Sequence, residues 1–164
     1  MKLIYLTKDQ HTLVDDEDFE MLSKYKWCVT NRNGKLYAVR GRRKAELPGT
    51  KLISMHRQLT GVLEGMDVDH INGDGLDNRR ENLRACSHAD NQKSHKKHNS
   101  WGGRPTASVF KGVHWHNKNS KWCAKVSNKY IGSFRSEVEA AKAYDAKARE
   151  LFGEFAKTNF QEAA

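Results

Sequence analysis

The chain has 164 residues, enough for one ordinary domain or two small ones and too few for a large multidomain enzyme. Hydrophobic residues make up 37% and charged ones 30%, and no apolar run approaches the roughly 20 residues of a membrane-spanning helix, so a soluble protein with no membrane partner is expected. The formal net charge is +9, and between Asn91 and Arg135 ten Lys or Arg occur without one Asp or Glu, where a merely solvated face would interleave both signs, so the partner implied is nucleic acid.

The opening MKLIYLTKDQ is too short in apolar character for a signal-peptide core, which argues against secretion. Strand-like runs at 2–6 and 11–14 lead into an acid-rich helical turn at 15–25, with Phe19 and Leu22 at helical spacing. In WCVTNRNGKLYAVR, Asn33-Gly34 separates two β-prone runs and suits the positive φ angles of a tight hairpin. A small strand-rich amino-terminal layer is the expectation, to scaffold the segment that follows or to add minor contacts. Cys28, Cys86 and Cys123 are odd in number and far apart, so neither a disulfide framework nor structural zinc is expected, and the compartment should be reducing.

From Asp67 to Lys97 the composition turns to Asp, Asn, His and Gly, poor material for a core and good material for a polar site. Asp69 and His70 pair a carboxylate able to hold a hard cation with an imidazole able to take a proton near neutral pH. Adjacent side chains on a strand point to opposite faces, so the dipeptide by itself carries little. The rest of the segment adds weight. Asn72-Gly73-Asp74-Gly75 is a strong turn, Leu83 returns the chain to a core, and Ser87 with Asp90 three residues later can cap a helix bearing Asn91. Strand, loop, strand and helix make a ββα unit in which Asn91 can aim its side-chain oxygen back at Asp69.

MHRQL together with VDHINGDGLDNRRENLR resembles the active-site segment of HNH endonucleases, in the branch common among phage and intron-encoded homing enzymes. The resemblance implies a ββα-metal (His-Me finger) unit with Asp69 and Asn91 as ligands of one divalent metal, His70 as general base and Asn82 as its positioner. Many relatives carry His at the position of Asn91, and the amide favours Mg²⁺ or Mn²⁺ over zinc. Arg79, Arg80 and Arg84 read as phosphate clamps, as do Lys93, Lys96 and Lys97 further on. His95 reads as a solvated histidine, an extra ligand or a phosphate contact, His56 as structural or DNA-facing, Asn78 as a loop cap, and Cys86 as a small packed residue.

Residues 98–107 read as a basic linker between an amino-terminal region plus nuclease domain, 1–97 with its ββα core at about 67–97, and a carboxy-terminal domain, 108–160. In the latter FKGVHW, KWCAKV and KYIGSF are strand-like, and KWCAKV alternates Trp122, Ala124 and Val126 against Lys121, Cys123 and Lys125. Ser136 and Glu139 have the spacing of a capping box; Val138, Ala141, Tyr144, Ala148 and Leu151 form a stripe, and Gly153 is placed to end the helix. An α+β chain follows, its last part a three-stranded antiparallel sheet packed on one helix. Residues 110–160 resemble the APETALA or ethylene-response-factor DNA-binding domain. That family lays its sheet in the major groove, which by position implies contacts from Lys111, His114, His116, Lys125, Ser127 and Tyr130 and core roles for Val113, Trp122, Phe134, Tyr144 and Phe160. Arginines of that family are here Lys, His or Ser, which forfeits bidentate guanine readout, so the plant target sequence is not carried over.

The reading is a metal-dependent, site-directed endonuclease for double-stranded DNA, of the homing or mobile-element kind, acting as a monomer or weak dimer without a small-molecule cofactor. A cytoplasmic, nucleoid-associated location in a bacterial host or phage-infected cell goes with it. The alternative is a non-catalytic DNA-binding regulator with a worn HNH fold. A third reading, a single-strand binder, requires stacking aromatics such as Trp115 and Tyr130 on an open sheet.

Overall fold

The computed structural model describes residues 1–41, 52–94, 100–101, 104–105 and 107–160. Two compact units, 1–91 and 92–164, divide the chain within a short helix. Lys96, Lys97, His95 and half of the anticipated linker lie outside the described residues; inside it, Ser100–Trp101 and Arg104–Pro105 pair as a minimal antiparallel ladder.

The first unit begins with β1 (Lys2–Tyr5) and β2 (His11–Val14), paired antiparallel. Helix α1 (Asp16–Ser23) opens on Asp16, Glu17 and Asp18, which complement the positive end of its dipole, and turns Leu22 and Phe19 inward. β3 (Cys28–Arg32), β4 (Lys35–Gly41) and β5 (Leu52–Ser54) form an antiparallel sheet. Its first turn is Asn33-Gly34, with φ of 52° and 82°, the twist that a two-residue hairpin requires. Helix α2 (Met55–Thr60) follows and ends at Gly61 in the left-handed region. Ile4, Val14, Leu22, Trp27, Ala38, Met55 and Leu59 close one core, against which Leu76 and Leu83 also pack.

β6 (Asp67–His70) and β7 (Leu83–Cys86) pair antiparallel with Asp69 opposite Arg84 and His70 opposite Leu83. A single 3-10 turn at Arg80–Asn82 precedes β7. Helix α3 (His88–Ser94) follows, and Ser87 caps it by accepting the Asp90 amide at 3.1 Å. The amino-terminal layer clasps the loop between β6 and β7. Leu13 N–H donates to Leu76 O at 2.9 Å and Asn78 N–H to Leu13 O at 2.8 Å, forming a parallel bridge between Leu13 and Asp77. Gly75 lies so close to Leu36 O and the Tyr37 ring that a Cβ there would collide with β4.

The second unit is a sheet of β10 (Val113–His116), β11 (Lys121–Val126) and β12 (Lys129–Phe134), covered on one face by α4 (Glu137–Phe152); β8 and β9 denote the two-residue ladder named above. Ser136 N–H donates to Glu139 Oε2 at 3.3 Å, the reciprocal half of the capping box, and Gly153 ends α4 at a φ of 52°. The core is Val113, Ala124, Val126, Ala140, Ala141, Tyr144 and Ala148, with Trp122, Phe134 and Phe160 packed on it. Val138 and Leu151, expected in the same stripe, are exposed; they sit near the two ends of a helix of 16 residues whose covering strands have only 4 to 6. Buried Asp145 fastens the chain end by accepting the amides of Asn159 and Phe160 at 2.8 and 2.9 Å. Both units are α+β.

Candidate nuclease site and nucleic-acid face

Alternation along β6 sends Asp67 and Asp69 to one face of the hairpin and His70 to the other. On the carboxylate face, Asn91 of α3 donates its amide to Asp67 Oδ2 at 2.9 Å, and His88 Nδ1 lies 2.9 Å from the same oxygen. These hydrogen bonds hold Asp67 below the usual carboxylate range. The helix thus meets the carboxylate face of the hairpin through Asn91. Asp69 is buried, and Arg84 grips its Oδ2 through Nε at 3.1 Å and a terminal nitrogen at 2.7 Å.

On the opposite face His70 is 7% exposed, and burial depresses its basicity, so the imidazole is neutral at pH 7. His56 meets it edge-on, ring centroids 5.1 Å apart, and Tyr37 stands 5.9 Å away. His56 is therefore an interior neighbour of His70. Spacing along the chain gave no signal for that, because residues 56 and 70 are brought together by the packing of α2 against β4, β6 and β7. Asn82 accepts the Asn72 amide at 3.0 Å and donates to Asp77 O at 2.8 Å, bracing the loop that follows His70. Asn78, expected to cap a loop, is fully buried and donates to Thr12 Oγ1 at 2.8 Å.

The three arginines of this segment are all in ion pairs. Arg79 forms a fork on Asp77 at 2.7 and 2.8 Å and reaches Glu81 at 2.6 Å; Arg80 forms another on buried Asp18 of α1, both bonds at 2.7 Å. Arg84 is the third, on Asp69. For a hard divalent cation the donor types fit, carboxylates and an amide, with Asp69 here held by the Arg84 guanidinium that a metal would have to displace. Among the described residues no group of three or more His, Cys, Asp or Glu is arranged around one point.

Residues 56–93 match the HNH endonuclease family model. This segment is an HNH endonuclease domain. The chain carrying the HNH domain is also 28% identical, over 93% of its length and 76% of the other's, to an uncharacterized HNH endonuclease of Acanthamoeba polyphaga mimivirus. Beside the HNH domain, matches extend to AP2-like ethylene-responsive transcription factors. One is the factor ANT of Arabidopsis thaliana, 37% identical over 73 residues, 41% of this chain and 13% of that protein. Another, from Oryza sativa subsp. japonica, is 34% identical over 99 residues, 56% of this chain and 15% of that protein. The chain thus spans a small part of the plant factors and about three quarters of the viral protein. No solved structure matches it significantly.

In the second unit the face of the sheet away from α4 carries His114, Cys123, Lys125, Tyr130 and Ser133, with Lys121 and His116 at its end. A bulge between Ala124 and Lys125 brings Tyr130 and Ser133, three residues apart, to the same side, where their hydroxyls meet at 2.7 Å. Cys123 is buried there beside Ser133, 3.3 Å from its hydroxyl. Ser127 lies in the β11–β12 turn with Asn128, φ 44° and 63°. Trp115 pairs edge-on with Trp122 at 5.1 Å, on the opposite side from this basic face. Lys111 is turned inward: its ammonium donates to Lys93 O at 2.8 Å, and burial lowers its pKa to about 8. Lys93 Nζ lies 5.5 Å from the Phe152 ring centroid.

Proposed function

We propose that the chain is a metal-dependent, site-directed DNA endonuclease of the homing or mobile-element kind, with His70 as general base and one Mg²⁺ or Mn²⁺ as cofactor. The observation that carries this reading is a buried, neutral imidazole beside a carboxylate on one strand of the hairpin, in the segment matching the HNH family. In this reading β6, β7 and α3 are the ββα-metal unit, and Asp69 and Asn91 hold the cation. Bound there, it supplies positive charge to the scissile phosphate and its departing oxygen. His70 takes the proton of the attacking water, for which it must be neutral, and burial keeps it so at working pH. Asn82 keeps the loop after His70 in register through Asn72 and Asp77.

Duplex binding is assigned to the basic sheet face of the second unit, through His114, His116, Lys125 and Tyr130, with Ser127 at the turn; the absence of acidic residues from 91 to 135 supports it. The test is nicking of supercoiled plasmid with Mg²⁺ or Mn²⁺. His70→Ala is expected to lose about 10²- to 10⁴-fold in turnover while keeping its affinity for duplex. Parental nicking by that variant removes His70 as base. No metal-dependent cleavage of a genomic library by the parent chain would leave a DNA-binding regulator.

A further inference from the structure

We propose that Asn78 is the positioning residue for His70: its side-chain Oδ1 accepts the Nε2–H of the imidazole and leaves Nδ1 as the proton-accepting nitrogen. The inference rests on His70 being the general base as proposed above.

Buried polar atoms need partners. Asn78 Oδ1 and His70 Nε2 are both buried, and among the described residues neither has a hydrogen-bond partner. Each such orphan destabilises the fold, so two of complementary character on one hairpin are matched to each other. The identity of the amide atoms follows from their other neighbours. Thr12 donates its single hydroxyl proton to Leu76 O at 2.6 Å, so towards Asn78 it can act only as acceptor. The Asn78 atom 2.8 Å from Thr12 Oγ1 is therefore the NH₂, and Oδ1 is the atom left over. An amide oxygen cannot donate, so a bond to His70 Nε2 requires the proton on that nitrogen. The Asn78 amide also lies near enough to favour the protonated imidazole, the direction an acceptor gives.

Both partners of this contact are held by backbone hydrogen bonds. Asn78 N–H is bonded to Leu13 O at 2.8 Å, and Gly73 N–H to His70 O at 2.8 Å. His56 and Tyr37 flank the ring, and Asp69, Asp74 and Asp77 are the carboxylates whose charge it feels. Asn82, which the motif nominates for this task, has its amide engaged with the loop backbone.

Long-range ¹H–¹⁵N correlation spectra of the full chain at mildly alkaline pH test the proposal, with the His70 signals identified by their loss in His70→Ala. The parent is expected to hold His70 as the Nε2–H tautomer. Asn78→Asp, which keeps an acceptor, is expected to retain it. Asn78→Leu is expected to give a tautomer mixture and a kcat about tenfold lower at unchanged KM, the scale seen when the second partner of a functional imidazole is removed. An Nδ1–H tautomer in the parent overturns the proposal without any variant, and so does an Asn78→Leu protein that folds with parental tautomer and kcat. Undiminished turnover of His70→Ala overturns instead the general-base reading, and with it any catalytic consequence of the contact.

Discussion

At the residue scale, the first unit concentrates buried groups whose protonation states its folding dictates. Burial drives His56 from its ordinary 6.5 to about 3, helped by His70, Arg57 and Arg32 and opposed by Asp67. Between those values the unfolded chain binds a proton that the folded chain refuses, so stability is lost as pH falls through the window. His70, also depressed, acts with the same sign. Melting temperatures are expected to drop steeply on the acid side of pH 6.5, and His56→Phe, which keeps the ring against Tyr37, to flatten the curve. An unaltered slope in that variant would assign the acid sensitivity elsewhere. The Arg84–Asp69 pair makes a second prediction. Both side chains are largely buried, so Arg84→Ala is expected to cost about 3 kcal/mol in chelator. Added Mn²⁺ should restore more of the melting temperature in Arg84→Ala than it adds to the parent, because the carboxylate then lacks its resident cation; equal shifts would count against Asp69 as a ligand.

At the scale of elements, close approach decides which residues the second unit tolerates. Gly112 has a φ of 75°, and a Cβ on it would enter the Tyr144 ring. Its carbonyl accepts the Lys125 amide at 2.8 Å, so the turn before β10 is also a rung beside the bulge. Gly112→Ala combines left-handed strain with overpacking and is expected to destabilise this unit by about 2–4 kcal/mol, measured by chemical denaturation, with retained cooperativity. A variant as stable as the parent would mean that α4 can lift from the sheet at no cost. The alanines of α4 explain why there is so little slack: Ala140, Ala141 and Ala148 are all fully buried, which brings the helix backbone down onto β11 and β12. Asp145 and Asn159 then tie the chain end to Lys111, since Asn159 accepts the Lys111 amide at 2.6 Å and donates to its carbonyl at 3.1 Å.

At the scale of the whole molecule, charge is divided by task. In the HNH domain Arg79, Arg80 and Arg84 pair with Asp77, Glu81, Asp18 and Asp69, which ties the site loop to its scaffold. The second unit sets Lys121 and Lys125 on a sheet face without acidic residues, which suits a polyanion held by counterion release. Lys125→Ala is expected to weaken duplex binding nearly uniformly across sequences and to lower the salt slope by about one, read from binding titrations at several salt concentrations. A sequence-selective loss instead would move Lys125 from phosphate to a base edge.

Features carried by neighbouring residues were legible in the chain by itself: the Asn33-Gly34 hairpin, the Ser87 cap, the alternation from Lys121 to Val126, the capping box at Ser136, and the order of strand, loop, strand and helix that marks an HNH segment. Such signals depend on periodicity and on the local conformational preferences of Asn, Gly and Ser, which survive without a partner. Only the tertiary structure decided which polar groups meet. Thr12 and Asn78 are 66 residues apart, and Arg80 reaches Asp18 across 62. Asn91 bonds Asp67, and His56 stands against His70. A composition counts charges and amides but not their neighbours. Those pairings exist because burying the apolar faces of β2, α1 and α2 forces particular donors and acceptors out of water together, and each must then find a partner inside.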